Sequence, residues 1–357
     1  MKLHKLLLTV ILGSFLFVSC SSDDNNDSKP SGAYDNGVIV LNQGNFLKGN
    51  ASISFLSNSF VTENNIFSTV NNGAVLGDTG QDIGFKGDLA YIVLNVSNKI
   101  EIVNRYTFAK VATISNGLVN PRYIAFHNDK AYVTNWGDGN IKTDDYVAVI
   151  DLKTNTVTGT IPVVEGPERI IEENGKLYVA HAGGFGYGNT ITVIKTANNT
   201  IETTITVGDV PNSIETENGK LYVLTSGKSE FSGSESAGKF HIITLNDNKV
   251  TTTLDFTGLT HPSNLVIEDN RIYYTLNNDV YTMTLAPSVL PATSLFSTTA
   301  QGVKNGINCF AVEDSRIYVG DALDFNSNGK VYVYSLQGAL QHSTTVGLIP
   351  AGFYFND

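Results

Sequence analysis

Five stretches of the chain set an aromatic side chain among Asn, Asp, Gly and Ser. They are NQGNFLKGN with Phe46, NWGDGNIKTDD with Trp136 and Asp138, HAGGFGYGN with His181, Phe185 and Tyr187, SGKSEFSGSESAGK with Phe231, and DALDFNSNG with Asp321 and Phe325. Rigid rings offer contact area at little entropic cost, and small amides and hydroxyls adapt their hydrogen bonds, so this mixture suits ligand recognition. Alternatively, each aromatic folds back to cover its own part of the fold. Arg122 in NPR and Arg169 in EGPER occupy equivalent places in a repeat described below. They can grip an anionic group bidentately or pair with Glu165, Glu168 or Asp82.

Metal and catalytic chemistry find less to build on. DFNSNG starts like a calcium loop, with Asp324, Asn326 and Asn328 at alternate positions. Ser335 stands where the final bidentate carboxylate belongs, so an Asn/Asp/Gly turn is the plainer reading and no metal is expected. The histidines show no zinc spacing. No G-x-S-x-G is present, and no Ser/His/Asp set is marked by local spacing. Asp144–Asp145 reads as a solvated loop. HAGGFGYGN has no helix behind it and is no phosphate loop. A binding protein without cofactor is expected rather than an enzyme. The enzymatic alternative is a hydrolase working at a polar channel mouth with His181, Arg169 and Glu168.

Charge narrows the partners. The formal net charge is -11 and the pI about 5.0, so the surface repels phosphate backbones and nucleic acid is disfavoured. Cys309, in INCFAV, is the only cysteine beyond position 20; it cannot form an intrachain disulfide there and suits core packing.

The elements that position these residues follow from a repeat. PRYIAFHNDKAYVT, PERIIEENGKLYVA, PNSIETENGKLYVL and PSNLVIEDNRIYYT share one phrase, beginning at Pro121, Pro167, Pro211 and Pro262. GQDIGFKGDLAYIV and INCFAVEDSRIYVG repeat it without Pro, and the shared tyrosines (Tyr91, Tyr132, Tyr178, Tyr222, Tyr273, Tyr318) recur every 41 to 51 residues. In each phrase a strand meets tight-turn chemistry and returns as an alternating Tyr-Val strand. Two Thr/Val/Ile-rich strands follow. Each unit is a four-stranded antiparallel meander, strands a to d, which needs neighbours to bury its faces. Arranged radially, the units form an all-β, seven-bladed β-propeller.

Six units are complete. The C-terminal PAGFYFND, residues 350–357, supplies strand a of the seventh, and the segment of about 35–68 supplies its other three strands, closing the ring. Strand a then lines a central channel. The b–c loops and the d–a connections share one face, and the five aromatic loops are all b–c loops. The opposite turns are short.

The N-terminus is a targeting segment. Lys2 and Lys5, the apolar LLLTVILGSFLFV, and Cys20 after a small residue give the order of a bacterial lipoprotein signal. Residues 1–19 are read as the signal peptide, Cys20 as the lipidated residue, 20–33 as a flexible tether, and 34–357 as one propeller domain. Ser22, Asp23 and Asp24 resemble the surface-export signal of Bacteroidetes lipoproteins, which implies an outer-membrane anchor facing the exterior.

AYVTN, LYVAH, LYVLT and IYVGD resemble the repeat signature of YVTN-type β-propellers. In signal, tether, blade number and loop face, the chain also resembles Bacteroidetes surface lipoproteins whose seven-bladed propellers capture cobalamin and partner TonB-dependent transporters. That resemblance implies a corrinoid ligand resting on Trp136, Phe185 and Tyr187, with Asn, Asp and Arg groups serving its amides and phosphate, and a transporter as recipient. Among the alternatives is a surface scaffold that binds another protein through the same face.

Overall fold

The computed structural model describes residues 32–356. The signal peptide, Cys20 and the tether up to residue 31 lie outside the described residues. Seven four-stranded antiparallel sheets stand around a common axis. Strands a of blades 1 to 6 are Gly80–Lys86, Pro121–His127, Pro167–Glu173, Pro211–Glu217, Ser263–Glu268 and Cys309–Glu313. Blade 7 takes its strand a from Pro350–Asn356 and its b, c and d strands from Gly37–Asn42, Ser52–Ser57 and Thr62–Asn64.

Local chemistry explains the hairpins. Asn174 and Gly175, and likewise Asn218 and Gly219, all have positive φ. A two-residue turn of that kind twists in the sense its flanking strands require, and Asn and Gly tolerate the left-handed region. Asp269–Asn270 and Asp314–Ser315 adopt the same geometry in blades 5 and 6.

Packing explains the repeated tyrosine. Tyr91, Tyr132, Tyr178, Tyr222, Tyr273 and Tyr318 lie on strand b and are all buried. Each belongs to a core cluster that spans two consecutive blades. Tyr178, for example, packs with Ile191 and Val193 of its own blade and with Ile214, Leu221 and Val223 of the next. A blade therefore buries its apolar faces only through its neighbours, and the repeat is the signature of that need.

The ring closes as the sequence implies. Gly37 through Leu41 pair with Asn356 through Gly352. The Asn356 side chain donates to the carbonyls of Tyr34 (2.5 Å) and Arg105 (2.8 Å) and accepts from Arg105 Nε. These bonds latch the closing blade to Arg105 of blade 1, whose guanidinium lies 4.2 Å from the centroid of the Phe85 ring in its own blade.

Three features depart from the sequence reading. A short helix, Ile66–Val70, fills part of the connection from blade 7 to blade 1 and buries Ile66 and Phe67. At five residues it is too brief to leave a periodic signal. Blade 5 departs from the expected loop pattern: its b–c connection is only Asn277–Asn278, while residues 285–295 form a long c–d segment that returns along the outside of the blade, with Ser288–Ala292 beside Thr253–Thr257 of blade 4. Strand d there shrinks to Phe296–Ser297.

Candidate functional site

The five aromatic loops do share a face, but they do not converge on one point. The loops of blades 2 and 3 meet. The Trp136 and Phe185 rings pack edge to face at 5.5 Å between centroids, and the Arg122 guanidinium lies 3.9 Å from the Trp136 centroid. Phe46 and Phe325 belong to a second group, joined where Asn45 Nδ2 donates to the Phe325 carbonyl at 2.6 Å. Phe231 stands alone on the 3-10 turn Glu230–Ser232, 89% exposed.

Glycines allow the first group to form. Gly166, at positive φ, lies so close to the blade 3 loop that an added Cβ would fall 2.0 Å from the Gly184 nitrogen. Gly139 lies under the Phe185 ring, where a Cβ would come within 2.6 Å. The Gly166 amide donates to Asp145 Oδ2 at 2.6 Å, tying the blade 2 loop to the next d–a connection. Burial, with Asp144 and Glu165 nearby, raises Asp145 to about 6 against that hydrogen bond. Asp138 sits at the exposed tip; hydrogen bonds from the Asn140 backbone and side chain lower its pKa.

These contacts wall a cleft of about 490 Å³ between blades 2, 3 and 4. One side presents the Trp136 ring, Tyr187 and the backbone at Gly184 and Gly186. The other presents Asn212, Ser226, Gly227 and Ser229, and Tyr123 and Glu168 form the inner end. Trp136 Nε1 is buried without a hydrogen-bond partner. At that burial the N–H does not open onto the cleft, so Trp136 offers a bound molecule its ring surface.

Arg122 and Arg169 do not occupy equivalent positions, contrary to expectation. Counting from Pro121 and Pro167, the counterpart of Arg122 is Glu168, and that is its partner. Arg122 Nε and Nη2 donate to Glu168 Oε2 and Oε1 at 2.9 and 2.8 Å, a bidentate pair across the blade boundary. Arg169 is one residue further along and turns into the central channel, 4.2 Å from the Tyr123 centroid. Asp82 also lies in the channel wall. It accepts from the Ile124 amide and the Tyr354 hydroxyl, both at 3.0 Å, and burial raises its pKa although Arg169 pulls it down.

His181 and Asp321 end strands b of blades 3 and 6 and point into the fold rather than the rim; both are buried. Neither ring nitrogen of His181 has a hydrogen-bond partner. The Val164 and Glu165 carbonyls approach the ring without meeting hydrogen-bond geometry, and burial lowers its pKa to about 4. Asp321 Oδ1 accepts from the Leu323 amide, Oδ2 has no partner, and burial raises its pKa.

Asp324 Oδ1 accepts from the amides of Asn326 and Ser327 at 3.0 and 2.7 Å. The carboxylate of the calcium-like loop is thus taken up by its own turn. Among the described residues, no group of three or more His, Cys, Asp or Glu is placed to hold a metal, and no helix is long and apolar enough to cross a membrane.

The model of a family described as a domain of unknown function, DUF5074, matches residues 36–308. A search of curated proteins gives no match. Among solved structures, the chain is similar to a quinonprotein alcohol dehydrogenase-like protein from Bacteroides thetaiotaomicron. The two are 15% identical with a TM-score of 0.68, over 91% of this chain and 79% of that one. It is also similar to a functionally unknown protein from Desulfotomaculum acetoxidans, 13% identical with a TM-score of 0.63, over 90% and 98%. A third similar structure is the computationally designed Ika8 protein, at 11% identity and a TM-score of 0.59, over 92% of each chain. At these identities the likeness shows the fold alone.

Proposed function

The chain belongs to the DUF5074 family, and from that premise we propose that it is an outer-membrane surface lipoprotein that binds a small-molecule nutrient. The ligand we favour is a corrinoid such as cobalamin, held on the loop face and passed to a TonB-dependent transporter. One observation carries this reading: the cleft at Trp136, where an aromatic wall of Trp136 and Tyr187 faces a row of small polar groups. Its volume of about 490 Å³ lies in the range of small-molecule sites and takes only part of a corrinoid. The remainder stays exposed, as transfer to a recipient requires. Cys20, lipidated, supplies the anchor, and the tether gives the propeller reach.

A direct test titrates the full chain with cobalamin and follows the corrinoid visible spectrum. A saturable spectral change is expected, weakened in Trp136→Ala by about 1–4 kcal/mol of binding free energy. No spectral change, or an affinity indifferent to Trp136, contradicts the proposal. For the anchor, Cys20→Ser is expected to move the protein from the membrane to the soluble fraction; membrane retention would count against lipidation.

A second reading, a docking face for another protein, draws on a different observation. Phe46, Phe185 and Phe231 are 67%, 68% and 89% exposed on the loop face. Large exposed rings of this kind are usual where a partner covers a surface.

A further inference from the structure

The central channel contains an arginine and a glutamate that do not touch. Arg169 faces a cavity of about 330 Å³ lined by strands a of blades 3 to 7. Among the described residues its guanidinium stacks on Tyr123 but makes no hydrogen bond and no ion pair. Its acidic neighbours are already engaged. Asp82 is bonded to Ile124 and Tyr354, and both oxygens of Glu168 are held by Arg122. Glu215, from the next blade, lines the same cavity and likewise makes no hydrogen bond among the described residues.

Arg169 and Glu215 are each only partly buried and face the same cavity, so their unused donors and acceptors are open to whatever occupies it. Across the gap each offsets the other's charge only weakly. Burial raises Glu215 to about 7, against the pull of Arg169, which fits a carboxylate short of a direct partner. Glu268 and Glu313 line the part of the cavity nearer the a–b turns. They make that end hostile to a simple anion and favourable to a positive group. A volume of about 330 Å³ holds on the order of ten waters at about 30 Å³ each, or one molecule of amino-acid size.

We propose that the channel is a second binding site, independent of the loop-face cleft, for a small zwitterion whose carboxylate meets Arg169 and whose ammonium group meets Glu215. The planar guanidinium fork selects a carboxylate, and Glu215 fixes how far away the positive charge must lie. The site therefore discriminates by charge separation. Neither charge alone supplies both contacts.

The test is calorimetric titration of the full chain with glycine, 4-aminobutyrate and 6-aminohexanoate, with acetate and methylammonium as single-charge probes. One of the three zwitterions is expected to bind saturably and at least about tenfold tighter than either single-charge probe. Arg169→Met and Glu215→Gln should each weaken it about tenfold or more, and Trp136→Ala should leave it unchanged. Should Arg169→Met fail to fold, Arg169→Lys keeps the charge and loses the fork, and with Glu215→Gln it carries the test. Three results would overturn the proposal: no zwitterion binds, leaving water as the occupant; acetate binds as tightly; or binding survives both channel variants. Loss of zwitterion binding in Trp136→Ala would also refute a separate site.

Discussion

The Arg122–Glu168 pair sets the inner end of the cleft, and its energy can be isolated. The two side chains are only 13% and 14% exposed, so most of their desolvation has been incurred. Removing one partner from a buried pair strands the other and typically costs about 3–5 kcal/mol. Rim solvent can rehydrate part of a stranded group here, so Arg122→Met and Glu168→Gln should each cost about 2–4 kcal/mol. Arg122 also rests on the Trp136 ring at 3.9 Å, worth about 1 kcal/mol. That contact disappears in Arg122→Met and in the double variant alike, so it cancels in a double-mutant cycle. The double variant strands no charge, and the cycle should return a coupling of about 2 kcal/mol. Urea unfolding at pH 7 with linear extrapolation measures it. Additive single effects, with coupling below about 0.5 kcal/mol, would refute the claim that the pair acts as one desolvated unit.

His181 gives a pH prediction with a definite sign. Burial lowers its pKa from 6.5 to about 4, so the unfolded chain binds the proton first and stability falls as pH drops from about 6.5 toward 4. His181→Thr, copying Thr225 at the same place in blade 4, removes that penalty. Relative to pH 7 the variant should gain up to about 2 kcal/mol on wild type at pH 5; an unchanged difference between the two pH values would show that the histidine protonates freely in the fold. Gly166→Ala should cost more than about 2 kcal/mol and abolish ligand binding in the cleft, because its Cβ meets backbone at 2.0 Å. Gly184→Ala, whose nearest neighbour would be 3.2 Å away, should cost about 1 kcal/mol. Equal losses in the two alanine variants by thermal unfolding would disprove the close-packing argument.

Much of the ring was legible because each blade solves one packing problem with the same residue. A tyrosine that must reach into the next blade leaves a repeat, and Asn-Gly turns at positive φ leave another. Closure was legible too, since residues 350–357 and the segment from 35 complete one interrupted phrase. The site was less so. Arg122 and Arg169 are one residue apart when counted from Pro121 and Pro167, a difference visible in the sequence, but both fall where the register shifts, between Pro121 and Ile124 and between Pro167 and Ile170. Within such a bulge one residue decides between rim and channel. His181 looked like a rim residue because the loop begins there, but the last position of strand b still points inward. Glu215 and the unpaired state of Arg169 left no local mark, since they depend on strands from different blades meeting at the axis. The meeting of Trp136 with Phe185 rests on Gly139, Gly166 and Gly184, whose role is visible only once the backbones touch.

Trp136 is the only tryptophan in the chain, so intrinsic indole fluorescence reports on the cleft itself. Titrating the full chain with cobalamin and correcting for corrinoid absorption measures ligand arrival at that wall directly. A saturable quench is expected, with the same midpoint as the corrinoid spectral change and with no dependence on Arg169. A spectral change without a quench would place the ligand elsewhere on the propeller. The absence of both would contradict corrinoid capture by this face.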